Sequence, residues 1–266
     1  FHEFGDRRAS IAYPNIGYGK RLMQAFAEEF RDLGGRVVAS VGYDREKSDF
    51  ADIADRMAHS NPDAIFIPDS ASKVAELTAF FANRDVWGMG PDASKKEDAE
   101  RTFVHYLGTS LWYDSILVRQ ASNYVDGAVV PAWYASVFKD NATQQFGRRF
   151  EAVFGQEPEN IAAFAFDNVQ WLRELMLERG IQTSDALREA LVGGGTHQGA
   201  TGEASFAEDG ELRRSIRFLK VGEKGFEAFD LSVEIRPASA PDSRSGSSGE
   251  TSRSTGGETT PSGESP

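Results

Sequence analysis

The sequence predicts an α/β protein built on an open, mainly parallel β-sheet. Through the first half of the chain, short apolar segments alternate with longer segments whose apolar residues recur at helical spacing. Segment 63–68 has an uninterrupted apolar centre, which is typical of a parallel strand covered on both faces. Strand–helix pairs in this order imply right-handed crossover connections and therefore parallel neighbouring strands.

The first half is predicted to hold strands and helices in strict alternation. In chain order these are strand 8–13, helix 16–33, strand 37–43, helix 48–59, strand 63–68, helix 70–83 and strand 102–108. Gly34 suits the left-handed position after a helix C-terminus, and Ser48 is a favourable N-cap residue. The polar segment 88–100 interrupts the pattern and is predicted to be an inserted surface loop.

The second half is predicted to be mainly helical. Strand 126–133 is followed by helices 142–154, 160–179 and 184–192. Segments 203–206 and 215–221 are then predicted to pair as a hairpin closed by Glu208-Asp209-Gly210. From Arg236 onward the chain consists largely of Ser, Gly, Thr, Pro and Glu, which bury too little apolar surface to offset their ordering entropy. We therefore expect this tail to be disordered.

Composition and charge exclude several functions. A formal net charge of -12 repels phosphate backbones, so no nucleic-acid partner is expected. There is no cysteine, and the four histidines lack metal-ligand spacing, so we expect no disulfide and no metal site. No apolar segment approaches the roughly 20 residues that span a bilayer. Because the chain has no Gly-x-Ser-x-Gly elbow and no distinctive carboxylate pair, it is not expected to be an enzyme.

Polar and aromatic side chains follow three of the predicted strands, where open parallel sheets bind ligands. The candidate ligand contacts are Tyr18, Asp69, Ser70, Thr109, Ser110 and Trp112. Tyr18 can stack on a ligand or hydrogen-bond it, or it can simply pack over the first helical turn. Asp69 and Ser70 can equally serve as a helix cap. Trp112 can form an apolar wall or be an ordinary half-buried indole.

A partial dinucleotide-binding pattern follows the first strand. Gly17-x-Gly19 opens a helix, and Asp44 lies near the end of the second strand. Leu22 replaces the third glycine, and Pro14 stiffens the turn. A nucleotide-dependent enzyme that uses these glycines is therefore one of three hypotheses for the function, the other two being given below. No cofactor is expected.

Several short motifs occur in the order found in one known family. In chain order they are Tyr13-Pro14-Asn15, Tyr18-Gly19, Leu33-Gly34-Gly35, Ser48-Asp49-Phe50, the segment 62–68, Leu107-Gly108-Thr109, Trp112, Tyr124-Val125, Gly127-Ala128, Phe154-Gly155, Pro158, Ala165-Phe166-Asp167, Thr201-Gly202, Phe206 and Asp209-Gly210. Over about residues 9–230, this series resembles the type I periplasmic binding proteins of the leucine/isoleucine/valine-binding kind.

The resemblance implies two α/β lobes joined by crossover strands, with a ligand held in the cleft between them. It implies that residues 1–131 form an α/β region of the second lobe and that residues 132–195 return into the first lobe. Residues 196–235 are then strands returning to the second lobe, and residues 236–266 form the tail. We expect the first lobe to be incomplete, because the family's amino-terminal half-lobe has no counterpart here.

The resemblance also implies a function. The chain is expected to be a periplasmic solute-binding domain, lipid-anchored through a missing N-terminus. It would capture a small, polar, amino-acid-like ligand for an ABC transporter, with a membrane permease as partner. Segment 66–70 resembles a second subset, the penicillin-binding protein activators, which contact a peptidoglycan synthase. Such a non-catalytic regulatory module is the alternative.

Two positions depart from the family pattern. Phe166-Asp167-Asn168 stands where Tyr-Asp-Ala is usual. Many amino-acid binders of the family place an acidic residue near the Gly-Thr turn to hold the ligand ammonium, and here Ser110 occupies that region.

Overall fold

The strands and helices follow one another closely along the chain. The computed structural model describes residues 4–91, 93 and 101–231; the predicted tail at 236–266 and most of the predicted loop at 88–100 lie outside them. The first half contains β1 (Arg8–Pro14), α1 (Gly17–Asp32), β2 (Arg36–Tyr43), α2 (Ala51–Ser60), β3 (Ala64–Phe66), α3 (Ala71–Ala82), β4 (Val86–Gly88), β5 (Thr102–Leu107), α4 (Ser115–Ala121) and β6 (Val129–Ala132). The second half contains α5 (Asn141–Phe154), α6 (Asn160–Arg173), α7 (Ser184–Gly193), β7 (His197–Gly199), β8 (Gly202–Phe206), β9 (Leu212–Arg214), β10 (Arg217–Gly222) and β11 (Gly225–Phe229).

The main sheet confirms the predicted open, mainly parallel architecture. Its strands lie in the order β2, β1, β3, β5, β6, β10, β11, and β4 also pairs with β5. All pairings from β2 to β6 are parallel, whereas β10 and β11 add an antiparallel edge. Helices α2, α3 and α4 cover one face, and their apolar side chains join those of the strands in one core cluster that includes Met57, Leu77 and Leu117.

A smaller group of elements follows β6; it consists of helices α5, α6 and α7 with strands β7, β8 and β9, and is called the helical assembly below. The second described sheet has the order β7, β8, β9 and is antiparallel. Helix α6, extended by a π-helical turn at Glu174–Glu178, packs on it through Trp171 and Leu175, which contact Ala204 and Phe206. The domain boundaries predicted above remain predictions. The described residues fall in one compact unit that ends at Leu231.

Gly34 occupies the position predicted for it. Leu33 is the C-cap residue of α1, and Gly34 has a left-handed φ of 89°. The Gly34 N–H donates to the Arg31 carbonyl at 2.8 Å, and the Gly35 N–H donates to the Phe30 carbonyl at 2.8 Å. These two bonds form a Schellman motif, which satisfies carbonyls that the helix end leaves free.

The predicted N-cap of the second helix is wrong. Helix α2 begins at Ala51, with Phe50 as the N-cap residue and no capping side-chain bond from Ser48. Phe50 is buried, and its ring packs edge-on against Tyr43 and Phe80. The burial of this ring in the core decides where the helix starts. An N-cap hydrogen bond from the exposed Ser48 would stabilise the helix by less than this burial does.

The predicted hairpin is wrong in one of its two strands. Strand β8 pairs with β9, and the turn at Glu208–Gly210 lies between them. The segment predicted as the second strand contains β10, which lies between β6 and β11 in the main sheet. Besides β9, four further elements were not predicted: β4, α4, β7 and β11.

Replacing Gly19 with alanine is expected to lower the free energy of unfolding by about 1–3 kcal/mol. A β-carbon there would lie 2.3 Å from the Pro14 carbonyl oxygen, so α1 would have to move away from β1. The matched control is Gly17→Ala, where the nearest atom is the flexible Arg21 guanidinium at 3.8 Å. Urea denaturation measures both variants, and equal losses of stability would contradict the expectation.

Candidate functional site

The candidate site lies along one edge of the main sheet. Because β1, β3 and β5 are adjacent and parallel, their carboxyl ends meet at the same edge. The segments that follow these strands carry the six residues singled out from the sequence. Backbone bonds join two of these segments, since the Ile67 N–H donates to the Leu107 carbonyl at 3.0 Å.

Asp69 is a buried carboxylate whose two oxygens are both engaged. Its Oδ2 accepts from the Tyr43 hydroxyl at 2.8 Å, and its Oδ1 accepts from the Ser70 N–H at 2.7 Å. Its Oδ1 also lies 3.1 Å from Nη2 of Arg45. Burial, aided by the Asp69 charge and hydrogen bond, raises the pKa of Tyr43 far above its ordinary value, so Tyr43 stays a donor. Asp69 therefore holds the loop together instead of facing a ligand.

Arg45 belongs to this site although the sequence did not point to it. It follows β2 by two residues, and its side chain is 41% exposed. Its Nη2 lies 3.4 Å from the Ser70 hydroxyl as well as contacting Asp69. An arginine in a polar turn carries no distinctive local signal, and only the parallel pairing of β1 with β2 and β3 brings it to Asp69.

Hydroxyl groups line the rest of the edge. Ser70 is the N-cap residue of α3 but makes no capping bond with its side chain, and its Oγ lies 3.3 Å from that of Ser72. Thr109 caps a short 3-10 turn at Ser110–Trp112, where its Oγ1 accepts from the Leu111 N–H at 3.4 Å. Ser110 is partly exposed.

Trp112 lies wholly inside the core. Its indole N–H donates to the Ile67 carbonyl at 3.0 Å, which ties the loop after β5 to the loop after β3. Gly108 lies flat against the ring, since a β-carbon there would come within 2.3 Å of it. Because Trp112 has no exposed surface, it positions neighbouring residues and is not an open apolar wall.

Tyr18 is in the first turn of α1 and is 36% exposed. Its hydroxyl has no hydrogen-bond partner among the described residues. The turn before it is held rigidly, because the Asn15 N–H donates to the Tyr43 carbonyl at 2.7 Å.

A second polar cluster joins the helical assembly to the main sheet. The buried Asp167 of α6 accepts from the Ala200 N–H at 2.8 Å, the Thr201 N–H at 2.7 Å and the Thr201 hydroxyl at 2.5 Å. Arg214 donates to the same hydroxyl at 2.7 Å and to the Asn168 side chain at 2.9 Å. The sequence marked Asp167 and Thr201 only as family landmarks and did not pair them.

Arg217 completes this cluster at the start of β10. It donates to Asp140 at 2.6 Å and to the Ala200 carbonyl at 3.0 Å, and it also contacts the Trp133 carbonyl. Burial lowers the pKa of Arg217. Burial of Asp140 would raise the pKa of that carboxyl, but hydrogen bonds from Thr143 and the charge of Arg217 outweigh it, so the pKa of Asp140 is lowered. The cluster thus fastens the segments that enter and leave the helical assembly.

A pocket of about 750 Å³ lies between Tyr113 and Asp114 of the loop after β5, the start of α4, segment 157–161 and the β10–β11 turn. None of the six candidate residues lines it. Within the part of the chain that the structure describes, no group of three or more His, Asp or Glu side chains is placed to hold a metal ion. None of the described helices combines the length and apolar character needed to cross a membrane.

Comparison with known proteins decides the family. The sequence profile described as periplasmic binding protein matches residues 1–226. The chain belongs to this family. The resemblance inferred from the sequence motifs is confirmed, and so is the type I periplasmic binding fold. No curated protein matches the sequence.

Solved structures of periplasmic binding proteins share this fold. A putative branched-chain amino acid ABC transporter protein from Rhodospirillum rubrum has a TM-score of 0.69 and 21% identity, over 85% of this chain and 61% of that one. A solute-binding protein from Rhodopseudomonas palustris, in complex with 3,4-dihydroxybenzoic acid, has a TM-score of 0.61 and 21% identity, over 85% and 60%. The LivJ protein from Streptococcus pneumoniae, in complex with isoleucine, has a TM-score of 0.61 and 17% identity, over 85% and 61%. The chain therefore spans about three fifths of the length of these relatives.

Proposed function

We propose that this chain is the ligand-binding part of a non-catalytic, extracytoplasmic solute-binding protein. The observation that carries the proposal is a row of hydroxyls at the carboxyl edge of a parallel sheet. Those of Tyr18 and Ser110 have no side-chain partner among the described residues, and that of Ser70 contacts Arg45 and Ser72. Open α/β sheets bind ligands at this edge. Related periplasmic binding proteins crystallised with isoleucine and with 3,4-dihydroxybenzoic acid support a small-molecule ligand.

In this proposal the six sequence-derived residues have two kinds of role. Tyr18, Ser70, Thr109 and Ser110 offer hydroxyl groups, and the Tyr18 ring adds an apolar face. Asp69 and Trp112 hold the loops that carry these hydroxyls, because both are buried and bonded to neighbouring segments.

The proposed mechanism is hinge closure of two lobes over the ligand. The ligand stabilises the closed state by as much as it binds that state more tightly than the open one. The loaded protein would then present its ligand to an ABC-type membrane permease. A periplasmic location and a lipid anchor are part of this proposal, and the family and its transporter relatives support the location.

A thermal-shift screen tests the proposal, using amino acids, small carboxylates and nucleotides. A ligand at 100 times its Kd is expected to raise the melting temperature by about 5–10 °C, because it binds only the folded state. Tyr18→Ala is expected to remove most of this shift. Leu33→Ala is the matched control, since Leu33 is 45% exposed at the far end of the same helix. Equal shifts in the wild type and Tyr18→Ala would contradict the assigned site.

One observation favours the alternative, a module that regulates peptidoglycan synthesis by contacting a synthase. Helix α6 and its π-helical extension carry an exposed apolar stripe at helical spacing: Ile161, Ala165, Val169, Leu172 and Met176. Exposed apolar patches mark interaction surfaces. A well-folded protein that shifts with no ligand in the screen, and that binds a purified synthase, would replace the receptor proposal with this one.

A further inference from the structure

We infer that Ile16 and Leu111 are specificity-determining residues of the site at the carboxyl edge of the main sheet, where they select the apolar group of the ligand. The inference rests on the proposed function, because it concerns the same edge of the sheet. It adds two residues that the sequence did not single out, and it gives them a role that the hydroxyl groups of the edge cannot fill.

The two residues lie on either side of the central loop of this edge. Ile11, Phe66 and Leu107 are level across β1, β3 and β5. Ile16 follows Ile11 by five residues, and Leu111 follows Leu107 by four. Because neighbouring strands lie about 4.8 Å apart and β3 lies between the other two, the ends of β1 and β5 are about 10 Å apart. A ligand of that length lies within reach of both side chains.

Neither side chain is used to build the core. Ile16 is 43% exposed and Leu111 is 49% exposed, and within the described part of the chain neither belongs to a hydrophobic cluster. Tyr18, at the same edge, is also exposed. Single exposed apolar side chains are common on protein surfaces. Three at the edge where open α/β sheets bind ligands offer apolar area that a ligand can cover.

Ile16 also breaks a local rule of helix formation. It is the N-cap residue of α1 and has the extended backbone of a capping residue, with φ of -116° and ψ of 165°, but it forms no side-chain cap bond. Ser, Thr, Asp and Asn stabilise this position because their oxygen accepts a free N–H of the first turn, whereas isoleucine has no acceptor. An exposed isoleucine therefore weakens the helix start without a compensating contact in the core. Such local conflicts are expected at functional sites.

Leu111 is exposed on a firmly held turn. Its N–H donates to the Thr109 hydroxyl at 3.4 Å, and the Trp112 N–H donates to the Thr109 carbonyl at 3.0 Å. The buried indole of Trp112 also ties this turn to the loop after β3. The backbone of Leu111 is thus fixed by its neighbours while its side chain meets solvent, so little ordering entropy is lost when a ligand packs against it.

Isothermal titration calorimetry on the 266-residue chain tests the inference with two graded series of probes, glycine to isoleucine and acetate to pentanoate. In the wild type we expect affinity to rise about fourfold for each methylene that reaches the two side chains. Leu111→Ala and Ile16→Ser are each expected to weaken binding of the largest probe about four- to tenfold, so that the gain per methylene falls. The matched control is Leu33→Ala, because Leu33 is 45% exposed at the far end of α1.

The outcomes of this titration separate the inference from the receptor proposal. If the probes bind and the gain per methylene is the same in the wild type and both variants, the inference is overturned and the receptor proposal stands. Binding of a nucleotide or another polar ligand alone also overturns the inference. If neither series nor any ligand of the thermal-shift screen binds to folded protein, the receptor proposal fails and the inference fails with it.

A second measurement separates a role in binding from a role in folding. Without ligand, Ile16→Ser is expected to raise the melting temperature by about 2–4 °C, because the serine oxygen can accept the Tyr18 or Gly19 N–H and cap α1. Ile16→Val keeps the apolar side chain and adds no cap, so we expect it to match the wild type in melting temperature and in probe affinity. A lower melting temperature of Ile16→Ser would identify Ile16 as a structural residue and contradict its assigned role.

Discussion

Replacing Trp112 with alanine is expected to lower the free energy of unfolding by about 3–5 kcal/mol, measured by urea denaturation. The indole is fully buried, so its removal leaves a cavity among packed neighbours. It also removes one of the two donors to the Ile67 carbonyl, which keeps only the Asp69 N–H. Trp112→Phe keeps most of the volume but not the hydrogen bond, and we expect it to cost about 1–3 kcal/mol.

The control for Trp112 is its neighbour in the same turn. Leu111 is 49% exposed, so Leu111→Ala is expected to change stability by no more than about 0.5 kcal/mol. Ligand affinity should fall in Trp112→Phe, because the indole joins the loops that carry Ser70 and Ser110. A loss below about 1 kcal/mol in Trp112→Ala would show that the site collapses around the missing ring.

Replacing Asp167 with alanine is expected to cost about 3–5 kcal/mol, because buried donors lose their common acceptor. The Ala200 and Thr201 N–H groups would be left unpaired, and Arg214 and Arg217 would lose a nearby negative charge. Asp167→Asn retains one acceptor oxygen and is expected to cost less. The measurement is again urea denaturation of each variant.

An exposed aspartate provides the comparison for Asp167. Asp185 lies in the first turn of α7, and Asp185→Ala is expected to cost less than about 1 kcal/mol, through its favourable position at the helix N-terminus. If Asp167→Ala and Asp185→Ala had similar effects, the buried cluster would not fasten the helical assembly to the main sheet.

The candidate site was only partly predictable. Tyr18, Ser70, Thr109 and Ser110 follow strand ends, and strand ends can be read from local patterns. The sequence could not show that Asp69 is saturated by Tyr43, Arg45 and Ser70, since the first two lie more than twenty residues away along the chain. It also could not show that Trp112 points inward, because a tryptophan after a Gly-Thr turn suits a surface wall and a core position equally well.

The sequence by itself determined the alternation of strands and helices from β1 to α3 and the parallel character of the main sheet. Periodicity and turn chemistry act over a few residues, as at Gly34, where only a residue tolerant of a φ of 89° closes α1 without strain. Tertiary structure alone decided which strand pairs with which and where a helix starts. Strand β10 lies between β6 and β11 rather than beside β8, and Phe50, not Ser48, precedes α2. Both outcomes depend on burial against distant segments, and local sequence does not carry that information.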